Sequence, residues 1–238
     1  MICKETEIRE GFTFSGTHTS EYGLRLIERV GNPPTEKEIY ENIPFMQGEY
    51  DFSDVLGVRV FNNRELTYVF EQIEYDYQSR KVDETVLSNW LLRARRQELY
   101  DDYDKGYYYI AKCKSVESVD NYHGTQYKIT FDAQPFMIGE LEEGNDLWDP
   151  FNFELDISQD TKYTVNGSEV VTLINGGSNL VQPTIQASNP MTVIKDGKTY
   201  NIPEGQSKSY EFNLDVGENK LTIQGNGTIE FLFYKELI

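Results

Sequence analysis

Reactive side chains are scarce in this sequence. Two cysteines, Cys3 and Cys113, and two histidines, His18 and His123, are all that 238 residues hold. A disulfide-stapled secreted scaffold needs more cysteines, so both thiols are read as free, which suits a reducing compartment. No window approaches 18 uninterrupted apolar residues, so no membrane-spanning helix is expected. The opening "MICKETEIREGF" alternates apolar and charged residues and lacks the apolar core of a signal peptide. Basic residues are also few, with 22 Lys and Arg against 40 Asp and Glu, a net charge of −18. The deficit is even: residues 1–140 carry 16 basic and 25 acidic side chains, residues 141–238 carry 6 and 15, and each part nets −9. A surface this acidic repels phosphate backbones and anionic membranes.

Aromatic residues are abundant instead, with 17 Tyr and 13 Phe. Flat rings pack well on a pleated surface, so strands are expected. "IREGFTFSG" alternates, with Ile8, Phe12 and Phe14 as core positions, and "YGLRLIERV" continues through Leu24, Leu26 and Val30. "GNPPT" breaks any regular element. A strand-like run with a Gln47-Gly48 turn follows, then "GVRVFNNRELTYVFEQIEYDY". There Val58 and Val60 alternate before Asn62-Asn63-Arg64, and Leu66, Tyr68 and Phe70 after it, which predicts a hairpin. One helix is expected over "DETVLSNWLLRARRQELY", with Val86, Leu87, Trp90, Leu91 and Ala94 at helical spacing and Asp83 as N-cap. "YYYIAKCKSVESVD" and "YHGTQYKITFDAQPF" read as strands.

"GELEEGNDLWDP", residues 139–150, reads as an acidic linker. Beyond it arginine disappears and turn pairs arrive at short intervals: Asn166-Gly167, Asn175-Gly176, Asn189-Pro190, Asp196-Gly197, Glu204-Gly205 and Gly225-Asn226. Short strands between such turns predict a β-sandwich, built from "PTIQAS", "MTVIKDGKTYNI", "SKSYEFNL", "NKLTIQG" and "GTIEFLFYKE". The fold class is therefore mainly β with one helix, in two domains.

The chemical motifs are weak. Gly11-x-x-x-x-Gly16 has the glycine spacing of a phosphate loop, but Thr17 and His18 stand where Lys and Ser or Thr are needed. Phe12 and Phe14 fall inside the span and call for a core. His18 and His123 lie in turns, and no nucleophile motif surrounds Cys113. "DDYDKG", residues 101–106, echoes the start of a calcium loop but lacks the later Glu; Asp-Lys-Gly is a hairpin turn. Glu142-Glu143 and Asp146 with Asp149 are the carboxylate pairs of a hydrolase reading, and solvation of a linker explains them. Sugars stack on exposed rings, for which Trp148, Tyr163, Tyr200, Tyr210 and Tyr234 are candidates. Asn166-Gly-Ser and Asn226-Gly-Thr match the glycosylation pattern and are read as Asn-Gly turns. No catalytic, cofactor-binding or metal-binding residue is assigned.

In order along the chain, several segments resemble the distal tail protein family of long-tailed siphophages. "FTFSGTHTSEYGLRL" resembles its N-terminal signature, "IPFMQGEYDFS" its next turn and "RVFNNRELTYVFE" its next hairpin. The helix around Trp90-Leu91 and the end at Phe131, Pro135 and Phe136 are similar to its closing elements. "TLINGGSNLVQPTIQAS" and "VGENKLTIQGNGTIEFLFYKE" resemble parts of its C-terminal sandwich. "GNPPTEKEIYEN" does not align.

The resemblance implies a non-enzymatic structural protein without cofactor. Residues 1–138 would form a ring-forming β-sandwich (belt) domain and residues 151–238 a galectin-like β-sandwich. The ring would be a homo-hexamer, single or stacked as two, at the virion tail tip of a phage or prophage after synthesis in the host cytoplasm. Its implied partners are the tail tube protein, the tail-associated lysin and the receptor-binding baseplate proteins, with DNA passing through without specific binding and no membrane contact. The competing expectation is a carbohydrate-binding adhesion module acting through the C-terminal sandwich.

Overall fold

The computed structural model describes residues 10–45, 47–53, 57–74, 76–145 and 156–238. The chain divides into two compact units, residues 1–137 with Ile238, and residues 138–237. Residues 146–150 of the expected linker, and the Ile8 core position, lie outside the described residues.

The first unit contains β1 (Phe12–Phe14), β2 (Thr17–His18), a 3-10 turn (Thr19–Tyr22), β3 (Arg25–Gly31), β4 (Tyr40–Glu41), β5 (Tyr50–Asp51), β6 (Arg64–Ile73), α1 (Tyr77–Arg93), β7 (Gln97–Asp101), β8 (Tyr107–Asp120) and β9 (Gly124–Gly139). The hydrogen-bonded order is β2-β1-β7-β8-β9-β6-β3. In β6, Leu66, Tyr68 and Phe70 are buried, and they stand opposite Phe131, Ile129 and Tyr127 of β9. Alternation at period two thus aims one face of each strand at the core. Three strands separate β1 from β6 in this order, which in a flat sheet would part them by about 19 Å. Yet the Phe12 and Tyr68 rings are 4.9 Å apart, and Phe12 also meets Phe70 and Phe131 at 5.6 and 5.1 Å. The sheet therefore curls on itself around an aromatic core.

Helix α1 starts earlier than the expected 83–100 segment. Asp76, not Asp83, is the N-cap, and its carboxylate accepts from Ser79 N at 2.8 Å. Asp83 lies inside the helix and accepts from Gln72 Nε2 at 3.0 Å. "QELY" leaves the helix to form β7. Leu87 and Leu91, one turn apart, are buried. Trp90 donates from Nε1 to Phe14 O at 3.0 Å and stacks on Tyr22 at 4.7 Å, which holds the helix against β1.

The hairpin expected at Asn62-Asn63-Arg64 does not form. Residues 60–62 instead pair back with residues 35–37: Lys37 N donates to Val60 O at 2.7 Å and Asn62 N to Thr35 O at 2.8 Å. This frees β6 to lie between β3 and β9, and leaves Val58 and Val60 exposed. The described residues between 32 and 62 so form an arm rather than a layer of the core.

The second unit contains β10 (Lys162–Asn175), β11 (Thr184–Ala187), β12 (Met191–Lys195), β13 (Lys198–Ile202), β14 (Gly205–Lys208), β15 (Gly217–Leu232) and β16 (Glu236–Leu237). "NKLTIQG" and "GTIEFLFYKE" are one strand, β15, which pairs along its whole length with β10. Residues 221–224 of β15 also pair with β12, which carries β13, while residues 229–232 pair with β11, which carries β14. One bent ribbon thus serves two leaves, as in sandwiches whose strands switch sheets at bends. The bend falls at Gly225 (φ 144°) and Gly227 (φ 133°), with Gly167 (φ 82°) opposite. Asn166-Gly167 and Gly225-Asn226 are therefore strand interiors facing each other, not hairpin turns. Asp196-Gly197 is a two-residue hairpin with positive φ at both residues (51° and 77°), the twist that antiparallel strands favour. Phe212 ties the leaves together, with its ring 5.0 Å from Tyr200 and 6.2 Å from Phe231.

Candidate functional site

Both glycines of the opening motif have structural reasons. A Cβ on Gly11 would stand 1.9 Å from Thr19 Oγ1, so only hydrogen fits. Gly16 takes φ 74° in the turn from β1 to β2. Phe12 and Phe14 between them are fully buried. The segment builds a sheet edge and has no room to cradle phosphate.

The fold brings together two side chains that the sequence keeps far apart, His18 and Asp102. His18 Nε2 donates to Asp102 Oδ2 at 3.0 Å, and the same oxygen accepts from Gly11 N at 2.8 Å. Ser20 Oγ is 2.6 Å from His18 Nδ1. This has the outline of a Ser-His-Asp relay, but Nδ1 already accepts the backbone N–H of Ser20 at 3.2 Å. Glu21 Oε1 accepts in return from His18 N at 3.3 Å, which completes a capping box on the 3-10 turn. The imidazole positions that turn against the β7–β8 turn. No local pattern marks a pair 84 residues apart.

The other sequence candidates form no catalytic group with one another. Cys113 lies on β8, and its thiol donates to Ser115 O at 3.6 Å. Burial pushes that thiol up to about 11, so it is not poised as a thiolate. His123 sits in the β8–β9 turn, its ring edge-on to Tyr122. Seven residues of extended strand, about 23 Å, separate Cys113 from the end of β8, too far for a nucleophile–base pair. The "DDYDKG" segment forms the β7–β8 turn, with Tyr107 N donating to Asp104 O and Gly106 at φ 82°. Its first residue, Asp101, is buried and bidentate with Arg29 (2.8 and 2.9 Å), and accepts from Tyr68 OH at 2.9 Å. Among the described residues no cluster of three or more His, Cys, Asp or Glu suits a metal ion.

In the second unit Glu142 accepts from Tyr234 OH at 3.2 Å and Glu143 from Gln159 Nε2 at 3.1 Å. Burial raises the Glu143 carboxyl above its ordinary range, against the pull of Gln159 and Lys235. Of the aromatic candidates for sugar stacking, Tyr163 and Tyr200 donate to backbone carbonyls of Asp160 and Glu211. Tyr210, 88% exposed, presents its ring to solvent, and Trp148, Asp146 and Asp149 lie outside the described residues.

The arm is the feature that a self-contained fold does not explain. Among the described residues from 35 to 61 none is buried. Ile39, Tyr40, Ile43, Phe45, Tyr50 and Phe52 are all exposed, and Phe45 fully so. Backbone pairing holds the arm: β4 pairs with β5, and Phe52 N donates to Ile39 O at 2.8 Å. Arg59 forms an ion pair with Glu36, which lowers that carboxyl. Glu38 and then Asp51 raise the Tyr40 phenol, which reports a negative field along the arm. Phe45 is held at φ 72°, an unusual conformation for a bulky side chain. Exposed apolar groups on this scale mark a contact surface. Strand β3 is a second open surface: it is the last strand of its sheet and exposes Ile27 and Val30.

No family model matches the sequence, and no curated protein does. Two solved assemblies, the phage P2 baseplate in its activated conformation with Ca and with Sr, superpose loosely. Their TM-scores are 0.39 and 0.40, at 11% and 10% identity, with 93% and 92% of each chain covered. The SPP1 Dit (gp 19.1) protein, described as a paradigm of the hub adsorption apparatus in phages infecting Gram-positive bacteria, superposes with a TM-score of 0.67. That match covers 96% of this chain and 99% of the other at 12% identity. It spans both units, and the chain has the fold of a phage Dit protein.

Proposed function

We propose that this protein is a structural hub of a phage tail tip or baseplate and works by assembly, not catalysis. The observation that carries this reading is the fold likeness to SPP1 Dit over nearly the full length of both chains. The exposed apolar arm supports it, because a monomer gains nothing from leaving those side chains in water. In this reading a ring-forming domain, residues 1–138, closes into a six-membered ring through a heterologous contact, and a linker, residues 139–150, leads to a galectin-like domain, residues 151–238. The tail tube, the tail-associated lysin and the receptor-binding proteins of a phage or prophage are its partners at the virion tip. DNA passes through the ring unbound.

Light scattering with negative-stain imaging tests the ring. Six copies of a 27.6 kDa chain give a particle of about 166 kDa. Monomers at every concentration, with and without tail partners, would remove the hub reading. The alternative, glycan adhesion, rests on the exposed Tyr210 ring. It predicts a glycan-array signal that Tyr210→Ala abolishes.

A further inference from the structure

The arm needs a partner surface of opposite charge and similar apolar content, and this chain carries one. Helix α1 has apolar side chains on both faces. Leu87 and Leu91 face the core, while Tyr77, Val82, Val86 and Leu92 are exposed. Val82 and Val86 lie one turn apart, and Leu92 and Arg93 continue on the same outer side. Beyond them Arg93 and Arg95 are exposed and make no ion pair among the described residues. Their place at the helix C-terminus is favoured by the macrodipole. That accounts for the two cations and not for the valines and leucine beside them.

The arm is the complement. Its Glu38, Glu41 and Glu49 are exposed and without an ion pair among the described residues, and they flank Ile39, Tyr40, Ile43 and Phe45. We infer that the arm of one copy docks on the outer face of α1 of a second copy. Phe45 and Ile43 lie against Val82, Val86 and Leu92, and Glu38 and Glu41 pair with Arg93 and Arg95. The lengths agree. Val82 to Arg93 covers about 16 Å of helix, and Glu41 to Phe45 at most about 14 Å of extended chain, a difference that side chains span. Charge selects the occupant: on a chain with net charge −18, an acidic arm is repelled by most of its own kind's surface, and the α1 end offers two unpaired arginines. The two patches differ, so the contact is heterologous and repeats from copy to copy, as a ring requires.

This inference rests on the ring reading and is separable from it. Two full-length variants are compared with the wild type by light scattering, with far-UV circular dichroism to confirm folding. The arm variant is Glu38→Arg, Glu41→Arg, Phe45→Ser, and the helix variant is Val86→Ser, Arg93→Glu, Arg95→Glu. Each alone loses at least about 30-fold in association and runs as a monomer. Mixed, they associate again, because the intact arm of one meets the intact helix of the other. A charge-swapped chain carrying Glu38→Arg, Glu41→Arg, Arg93→Glu and Arg95→Glu assembles again. If either triple variant assembles like the wild type, or the mixture stays monomeric, the arm–helix contact is overturned while the ring stands. A wild type that stays monomeric overturns both.

Discussion

At the scale of single residues, the groups that looked chemical turn out to hold elements together. Asp102 ties His18 to Gly11, and Asp101 ties Arg29 to Tyr68. Glu143 is the exception, because its placement works against stability. Burial raises its carboxyl in the folded state, with Gln159 and Lys235 offsetting only part. An acid whose folded pKa is raised contributes nothing adverse below its unfolded pKa, about 4.3. It costs stability as pH climbs through the folded value, because the unfolded chain then releases the proton more readily. Glu143→Gln removes that cost and keeps an oxygen for Gln159. Thermal unfolding should therefore show the variant level with the wild type at pH 3.5 and more stable at pH 7, by up to about 1 kcal/mol. A variant less stable at pH 7 would mean that the Lys235 attraction outweighs desolvation.

At the scale of elements, legibility followed how local the deciding physics is. Strands β6, β8 and β9 were readable because alternation of Leu66, Tyr68 and Phe70, or of Tyr127, Ile129 and Phe131, reports one buried face. The helix core at Leu87 and Leu91 was readable for the same reason, while its start was not: Asp83 and Asp76 are equally good caps by composition, and tertiary packing chose the earlier one. Residues 58–62 were misread as one side of a hairpin because Val58 and Val60 alternate as a paired strand does, and alternation does not say which neighbour arrives. The His18–Asp102 contact depends on elements 84 residues apart, and no spacing rule reaches that far. Asn-Gly pairs misled in the second unit because glycine serves bends as well as turns. The two uses are separable by experiment. At Gly227, φ is 133° and a Cβ would stand 2.3 Å from Ser188 Oγ, so Gly227→Ala combines strain with a clash and should cost about 3 kcal/mol. At Gly167, φ is 82° with open space around it, and Gly167→Ala should cost about 1 kcal/mol. Denaturant midpoints of the two variants compare them directly. Equal losses would show that the bend in β15 tolerates a side chain.

At the scale of the whole molecule, charge is the property most visible in the sequence, and it constrains how a ring could meet DNA. Each part of the chain, split at residue 140, nets −9, so no turn of the subunits presents a strongly basic half. Binding to duplex DNA comes mainly from counterion release, which needs several Lys or Arg side chains against phosphates at once. The exposed Arg93 and Arg95 are engaged by the neighbouring arm if the arm–helix contact holds. In the proposed ring, a lumen with acidic or neutral walls would repel the duplex weakly and let it slide, which is what a conduit needs and a clamp does not. The assembled protein should therefore leave a short DNA duplex unshifted in a gel at about 50 mM salt, where non-specific binders hold best, and at about 150 mM salt. Retention at the lower salt that disappears at the higher would reveal a basic lumen, and the passive-conduit reading would fall with it.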